Sequence, residues 1–246
     1  MLRAFFCALE AFLYLLLGLP FLGIYWIIGK FNKPLADRLT FKSVQWIFKI
    51  IYKTAGAKVK VIGMENIPKD TPVLYIANHL SLFDIVITYA LCPDVTGYIA
   101  KDSIKKVPIL PIWMTRTYGL FLNRDNIKEG LRVITEAIET VKSGKASIFI
   151  FPEGTRSKNG ELGEFKGGSF KIAMRSGCPI IPVCIQNTDK ISKDRKLNFR
   201  KTDVTITYLP PLYPDKLLPE EKKHIGEFVK GKIEECKNYA LTNCAE

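Results

Sequence analysis

The chain is poor in the residues that build metal and redox centres. Its 246 residues include only two histidines, His79 and His224, and no C-x-x-C pair joins any of the six cysteines. That scarcity argues against a zinc cage, which needs four clustered ligands. Cys7, Cys92, Cys178, Cys184, Cys236 and Cys244 lie mostly in apolar runs, where a thiol acts as a small hydrophobe. The expectation is a reduced, cytoplasm-facing protein. Nothing repeats at a period of 20–50 residues, which excludes solenoids and propellers. Acid is also short: 24 Asp and Glu against 36 Lys and Arg give a net charge of +12. Such a surface favours anionic partners without choosing among phosphorylated substrates, acidic membranes, acidic carrier proteins and nucleic acid. No recognised DNA- or RNA-binding motif is present, and the aromatics are not interleaved with the basic runs, so no nucleic-acid partner is expected.

What the chain does have is apolar length. Ala4 to Gly29 carries a single charge, Glu10. As one helix it would extend about 39 Å, enough to cross a bilayer core. It is long for a signal peptide and lacks an A-x-A-like exit. Asp37 to Lys53 follows, with Phe41, Val44, Phe48 and Ile51 at helical spacing and a stripe of Lys42, Gln45, Lys49 and Lys53. That pattern fits a basic interfacial helix, or an ordinary helix packed on the domain. Residues 1–56 are therefore expected to form a two-helix membrane anchor. Either the first helix spans the bilayer or both lie in one leaflet; Gly18, Pro20 and Glu10 favour the second.

From about Ala57 the pattern changes to short β-branched runs alternating with amphipathic ones. Strands are predicted at Lys58–Ile62, Val73–Ala77, Gly97–Ala100, Gly119–Leu122, Ser147–Phe151, Ile180–Ile185 and Val204–Tyr208. Helices are predicted at Leu82–Leu91, Val107–Thr115, Ile127–Ser143, Gly167–Ser176 and Pro219–Tyr239. Runs such as SIFIF lack alternation, as expected for strands covered on both faces. The fold class is α/β: residues 57–246 as a single domain with a largely parallel mixed sheet flanked by helices. Ligands of such sheets sit at the carboxyl ends of the strands.

Four loops at such ends carry the chemistry. In ANHLSLFD, His79 precedes a predicted helix and Asp84 follows five residues later. His79 is either a satisfied structural histidine or a base whose tautomer Asp84 would fix. Ser81 and Asp84 also have the spacing of a helix cap. In YGLFLNR, Arg124 follows a strand and offers a guanidinium suited to phosphate, or to a surface ion pair. In FPEGTRS, residues 151–157, Gly154 lets backbone approach a ligand, while Glu153 and Arg156 add an acceptor and a cation. In CPIIPVCIQ, Pro179 and Pro182 flank an apolar run, read as a core strand or as the wall of an apolar channel.

This ordered set resembles the blocks of the glycerolipid acyltransferase family, most closely its 1-acylglycerol-3-phosphate acyltransferases. His79 to Asp84 match H-x-x-x-x-D. Gly119, Phe121 and Arg124 fit the second block, one residue tighter between Gly and Phe. FPEGTRS matches in full, and Ile180 to Val183 meet the fourth. The resemblance covers residues 57–210. It implies acyl transfer from a thioester to the free hydroxyl of lysophosphatidic acid, with His79 as base and Asp84 orienting it. It also implies that Arg124, Glu153, Gly154, Thr155 and Arg156 bind the acceptor, the arginines on phosphate and Glu153 with Gly154 on glycerol. Lys105 and Lys101, in IAKDSIKK, are expected to add positive charge. No metal or other cofactor is expected. Acyl-coenzyme A or acyl carrier protein would be the co-substrate, and a bilayer the partner. The basic segment Lys190 to Lys201 would face anionic lipid, face carrier protein, or be a solvated loop. Glycerol 3-phosphate or another lysophospholipid as acceptor, and a non-catalytic basic membrane-binding protein, are the competing readings.

Overall fold

The computed structural model describes residues 1–123, 126–157, 159–192 and 197–242. Arg124 and part of the basic segment Lys190 to Lys201 therefore lie outside the described residues.

Seven strands form one sheet: β1 (Ala57–Ile62), β2 (Leu74–Ala77), β3 (Thr96–Lys101), β4 (Leu120–Leu122), β5 (Ser147–Ile150), β6 (Ile180–Gln186) and β7 (Thr202–Tyr208), in the order β1-β7-β6-β2-β5-β3-β4. Only the β6–β7 pair is antiparallel. All seven expected strands are present, within a residue or two at each end. Every residue of β2 and β5 is buried, because both faces are covered. Alternate side chains feed two cores. Tyr75, Ala77, Phe149, Val183 and Ile185 point to one face. Leu74, Ile76, Ile148, Ile150 and Cys184 point to the other.

The helices are α1 (Leu2–Leu17), α2 (Leu19–Phe31), α3 (Lys33–Ala55), α4 (Leu82–Leu91), α5 (Leu110–Arg116), α6 (Ile127–Lys142), α7 (Lys171–Ser176), α8 (Pro219–Lys223) and α9 (Ile225–Thr242). The segment expected as helix Val107–Thr115 is instead α5 preceded by a 3-10 turn, Asp102–Lys106. The main departure lies at the amino end, where three helices replace the two expected. The apolar run breaks at Gly18, and α1 and α2 meet at a bend of 47°. A Cβ at Gly18 would sit 2.5 Å from the Tyr14 carbonyl and 2.6 Å from the Trp113 ring, so glycine permits that packing. Pro20 lies in the first turn of α2, where its missing N–H costs nothing.

Helix α3 is packed on the α/β body. Its apolar stripe, Phe41, Val44, Ile47 and Ile51, is buried in the first core. Gln45 Nε2 donates to the carbonyls of Tyr89 (3.1 Å) and Cys92 (2.8 Å), which otherwise end α4 unpaired. Helix α1 is pinned to α3 in turn: Glu10, the one charge of the apolar run, accepts from Thr54 Oγ1 at 2.7 Å. The outer faces of α1 and α2 stay uncovered, with Phe5, Phe12, Leu17, Phe21, Trp26 and Ile27 all more than half exposed. Among the described residues no single helix is long and apolar enough to cross a membrane; only the bent pair α1–α2 passes by length and composition.

Candidate active site

The parallel strands β6, β2, β5, β3 and β4 end on one edge, where ANHLSLFD follows β2 and FPEGTRS follows β5; YGLFLNR enters the edge as β4, whereas CPIIPVCIQ, grouped in the sequence with these loops, is strand β6 itself. Ile76 of β2 is level with Ile150 of β5, so three residues further along His79 falls level with Glu153. Helix α4 begins three residues beyond His79. Ser81 caps it, its side chain accepting from Phe83 N at 3.1 Å.

Asp84, in the first turn of α4, is fully buried. Its Oδ2 accepts from His79 Nδ1 at 2.7 Å, from Leu80 N at 2.6 Å and from Ser81 N at 2.8 Å. Its Oδ1 accepts from the hydroxyl of Thr188, in the 3-10 turn after β6. The cap and the imidazole contact are thus one arrangement. The helix amino end and three fixed donors hold a carboxylate where water cannot reach it. That carboxylate makes Nδ1 the protonated nitrogen of the neutral ring, leaving the lone pair on Nε2. The His79 side chain is 14% exposed and stacks on Phe151, with ring centroids 4.2 Å apart and planes at 23°.

The FPEGTRS loop holds the backbone of His79 from both sides. Glu153 Oε1 accepts from His79 N at 2.8 Å, and Ser157 N donates to the His79 carbonyl at 2.8 Å. Glu153 Oε2 accepts from Gly163 N at 2.9 Å, so both oxygens of this buried carboxylate are occupied by backbone. Gly154 turns the loop at φ +72°, a region costly to any residue with a Cβ. Thr155 and Arg156 are exposed beyond it. Asn78, also buried, pairs with Ile185 of β6 through both its amide groups, at 2.9 and 2.8 Å. The base candidate is therefore fixed at ring, backbone and flanking residue.

Residues 58–186 match the acyltransferase family. The chain belongs to that family. It is 34% identical over 206 residues to a 1-acyl-sn-glycerol-3-phosphate acyltransferase of Saccharomyces cerevisiae, covering 83% of this chain and 65% of the yeast protein. A protein of the same name from Borreliella burgdorferi is 34% identical over 199 residues, 80% of this chain and 78% of that one. The chain spans just under two thirds of the yeast relative and half of a chloroplastic one from Brassica napus. Among solved structures, the 1-acyl-sn-glycerophosphate acyltransferase PlsC of Thermotoga maritima superposes with a TM-score of 0.77 at 28% identity, covering 95% of each chain.

Within this acyltransferase the other expected residues spread along the edge. Lys105 is exposed in the turn after β3, its Nζ 5.6 Å from the Phe121 ring centroid on β4. Arg124, two residues after β4, falls outside the described residues. Arg156 instead lines an open cavity of about 1040 Å³ with Leu80, Ser81, Lys190, Arg200 and Lys201. A second cavity, of about 510 Å³, lies at the opposite edge, where Thr71, Pro93 and Lys145 precede their strands, away from the motifs. One contributor, Thr188, escaped the sequence reading. Thr188 belongs to no block, and its link to Asp84 spans 104 positions. Glu153 was legible as a motif residue, but its grip on His79 depends on the β2–β5 register.

Proposed function

We propose that this chain transfers a fatty acyl group from an acyl thioester to the free sn-2 hydroxyl of 1-acylglycerol 3-phosphate, forming phosphatidic acid. The observation that carries the reading is the 2.7 Å contact between His79 Nδ1 and the buried Asp84 carboxylate, inside the stretch that matches the acyltransferase family. His79 Nε2 takes the hydroxyl proton as the oxygen attacks the thioester carbonyl. Asp84 holds the tautomer and stabilises the imidazolium. The tetrahedral intermediate collapses, the C–S bond breaks, and the leaving thiolate recovers the proton from Nε2. General-base assistance of this kind contributes about 10²–10⁴-fold, and holding both substrates together contributes much of the remainder.

In this proposal Arg156, Lys105 and Arg124 supply positive charge for the acceptor phosphate, and Gly154 with Thr155 brings backbone to the glycerol. Glu153 acts through His79, holding its backbone in register. No metal or cofactor enters the scheme; the thioester of coenzyme A or acyl carrier protein is a co-substrate. The uncovered faces of α1 and α2 lie in one leaflet of the bilayer, which delivers a lipid acceptor to the carboxyl edge of the sheet.

The test is an assay of purified protein in phospholipid vesicles with radiolabelled acyl-coenzyme A and acyl carrier protein. The acceptors are 1-acylglycerol 3-phosphate, glycerol 3-phosphate and 1-acylglycerophosphocholine. Labelled phosphatidic acid formed preferentially from the first supports the reading. Preference for either of the others moves the activity to that acceptor, and no transfer to any acceptor refutes it.

A further inference from the structure

The reaction proposed above joins two anionic substrates, and cations flank the catalytic strand on two sides. Lys105 follows β3, beyond β5 on one side of β2. The cavity of about 1040 Å³ lies on the other side. Lys190 follows β6, and Arg200 and Lys201 lead into β7, which runs antiparallel to β6 and so begins at the same edge. Leu80 and Ser81, the residues after His79, form part of its wall, as does Phe199, packed edge-on against Phe83 at 5.1 Å. Asp189 and Asp203 also line it, but among the described residues Arg156, Lys190, Arg200 and Lys201 form no ion pair. Lys190, Arg200 and Lys201, unpaired among the described residues around a concave space that adjoins the reacting turn, are the composition of a phosphate site, while Arg156, on the FPEGTRS turn, stays with the acceptor. The space is large enough for a nucleotide-sized group.

We propose that this cavity binds the phosphate of the acyl donor's phosphopantetheine arm, with Lys190, Arg200 and Lys201 as its ligands. Both thioester donors carry that phosphate ester: coenzyme A with a nucleotide beyond it, carrier protein with a serine. Seated there, the arm runs along the Leu80–Phe83 turn and presents its thioester at His79, while the acceptor approaches from the Lys105 side. Arg156 joins the cavity to the catalytic turn through Ser157, whose N–H holds the His79 carbonyl. The inference rests on the acyl-transfer reading.

The experiment uses the full chain in vesicles, wild type and the double variant Arg200→Gln/Lys201→Gln, both positions being exposed. Donors are acyl-coenzyme A, acyl carrier protein and S-acyl-pantetheine, which lacks the phosphate. The proposal expects the KM for a phosphorylated donor to rise about 10–100-fold, the loss of charge-assisted hydrogen bonds. The KM for S-acyl-pantetheine, the kcat, the acceptor KM and the melting temperature stay unchanged. Comparing acyl-coenzyme A with carrier protein shows which source the cavity serves. A rise in acceptor KM with unchanged donor KM overturns the proposal and assigns the cavity to the acceptor. So does reduced binding to anionic vesicles with unchanged donor KM, which assigns it to lipid headgroups. Unchanged KM for every substrate overturns it outright. A wild-type protein that transfers from no donor refutes the acyl-transfer reading instead, and the inference falls with it.

Discussion

Glu153→Gln separates two roles for the buried carboxylate of the FPEGTRS loop. The carboxylate accepts from His79 N at 2.8 Å and Gly163 N at 2.9 Å and is 8% exposed. Glutamine has one acceptor oxygen, so its amide nitrogen must face one of two backbone N–H groups. One hydrogen bond to a charged acceptor is lost, about 1.5–3 kcal/mol, and the survivor becomes neutral, roughly half as strong. The total is about 2–4 kcal/mol. In a chain of this size each kcal/mol lowers the melting temperature by about 2–4 °C, so a fall of about 4–16 °C is expected. The same change frees the His79 backbone. Displacement of a catalytic group by about 1 Å can cost about 10²-fold, so kcat should drop roughly 10–100-fold with the acceptor KM nearly unchanged. The assay pairs a melting curve with steady-state kinetics on both substrates. A variant that melts with wild type yet shows a raised acceptor KM would refute this reasoning, because the carboxylate would then be binding glycerol.

Thr188→Val removes the hydroxyl from Asp84 Oδ1 and leaves that oxygen buried without a partner. The loss is about 1.5–3 kcal/mol, read as a roughly 10–100-fold fall in kcat that Thr188→Ser largely restores. Gly154→Ala places a Cβ at φ +72° and should cost about 1–2 kcal/mol in a thermal melt, with kcat/KM falling as the loop shifts. Among the described cysteines, Cys236 should be alkylated first by iodoacetamide, at a rate that rises with pH as its thiolate forms. The neighbouring Cys184 thiol pulls the pKa of Cys236 down, whereas burial pushes Cys7 up to about 11 and Cys92 up to about 12. Mass spectrometry across pH 6–8 checks the order. Replacing Phe5, Phe12 and Phe21 together with serine should abolish flotation with vesicles, since burying each ring is worth about 1.5–3 kcal/mol; unchanged flotation would contradict the one-leaflet docking.

The strands were legible because apolar β-branched runs such as Ser147–Ile150 have few other uses in a chain this long. The break between α1 and α2 was only hinted at by Gly18 and Pro20, since apolarity continues through them. The bend reflects the close approach of Trp113, nearly a hundred residues away. Helix α3 showed its amphipathic stripe but not its partner. A stripe that packs on α4 looks the same in sequence as one that lies on lipid. At the site, His79 and Asp84 could be paired from their spacing at a strand-to-helix turn. The double duty of Asp84, capping α4 and orienting the ring, needed coordinates. Thr188 and the Glu153 grip were hidden because both depend on how β6 and β5 align with β2.

The central claim is that His79, oriented by Asp84, is the base. The most direct measurement is single-turnover acyl transfer by purified His79→Ala in vesicles, with acyl-coenzyme A and 1-acylglycerol 3-phosphate saturating. The account predicts a rate constant lower by about 10²–10⁴-fold with an unchanged melting temperature and unchanged acceptor binding. Transfer at the wild-type rate would contradict it.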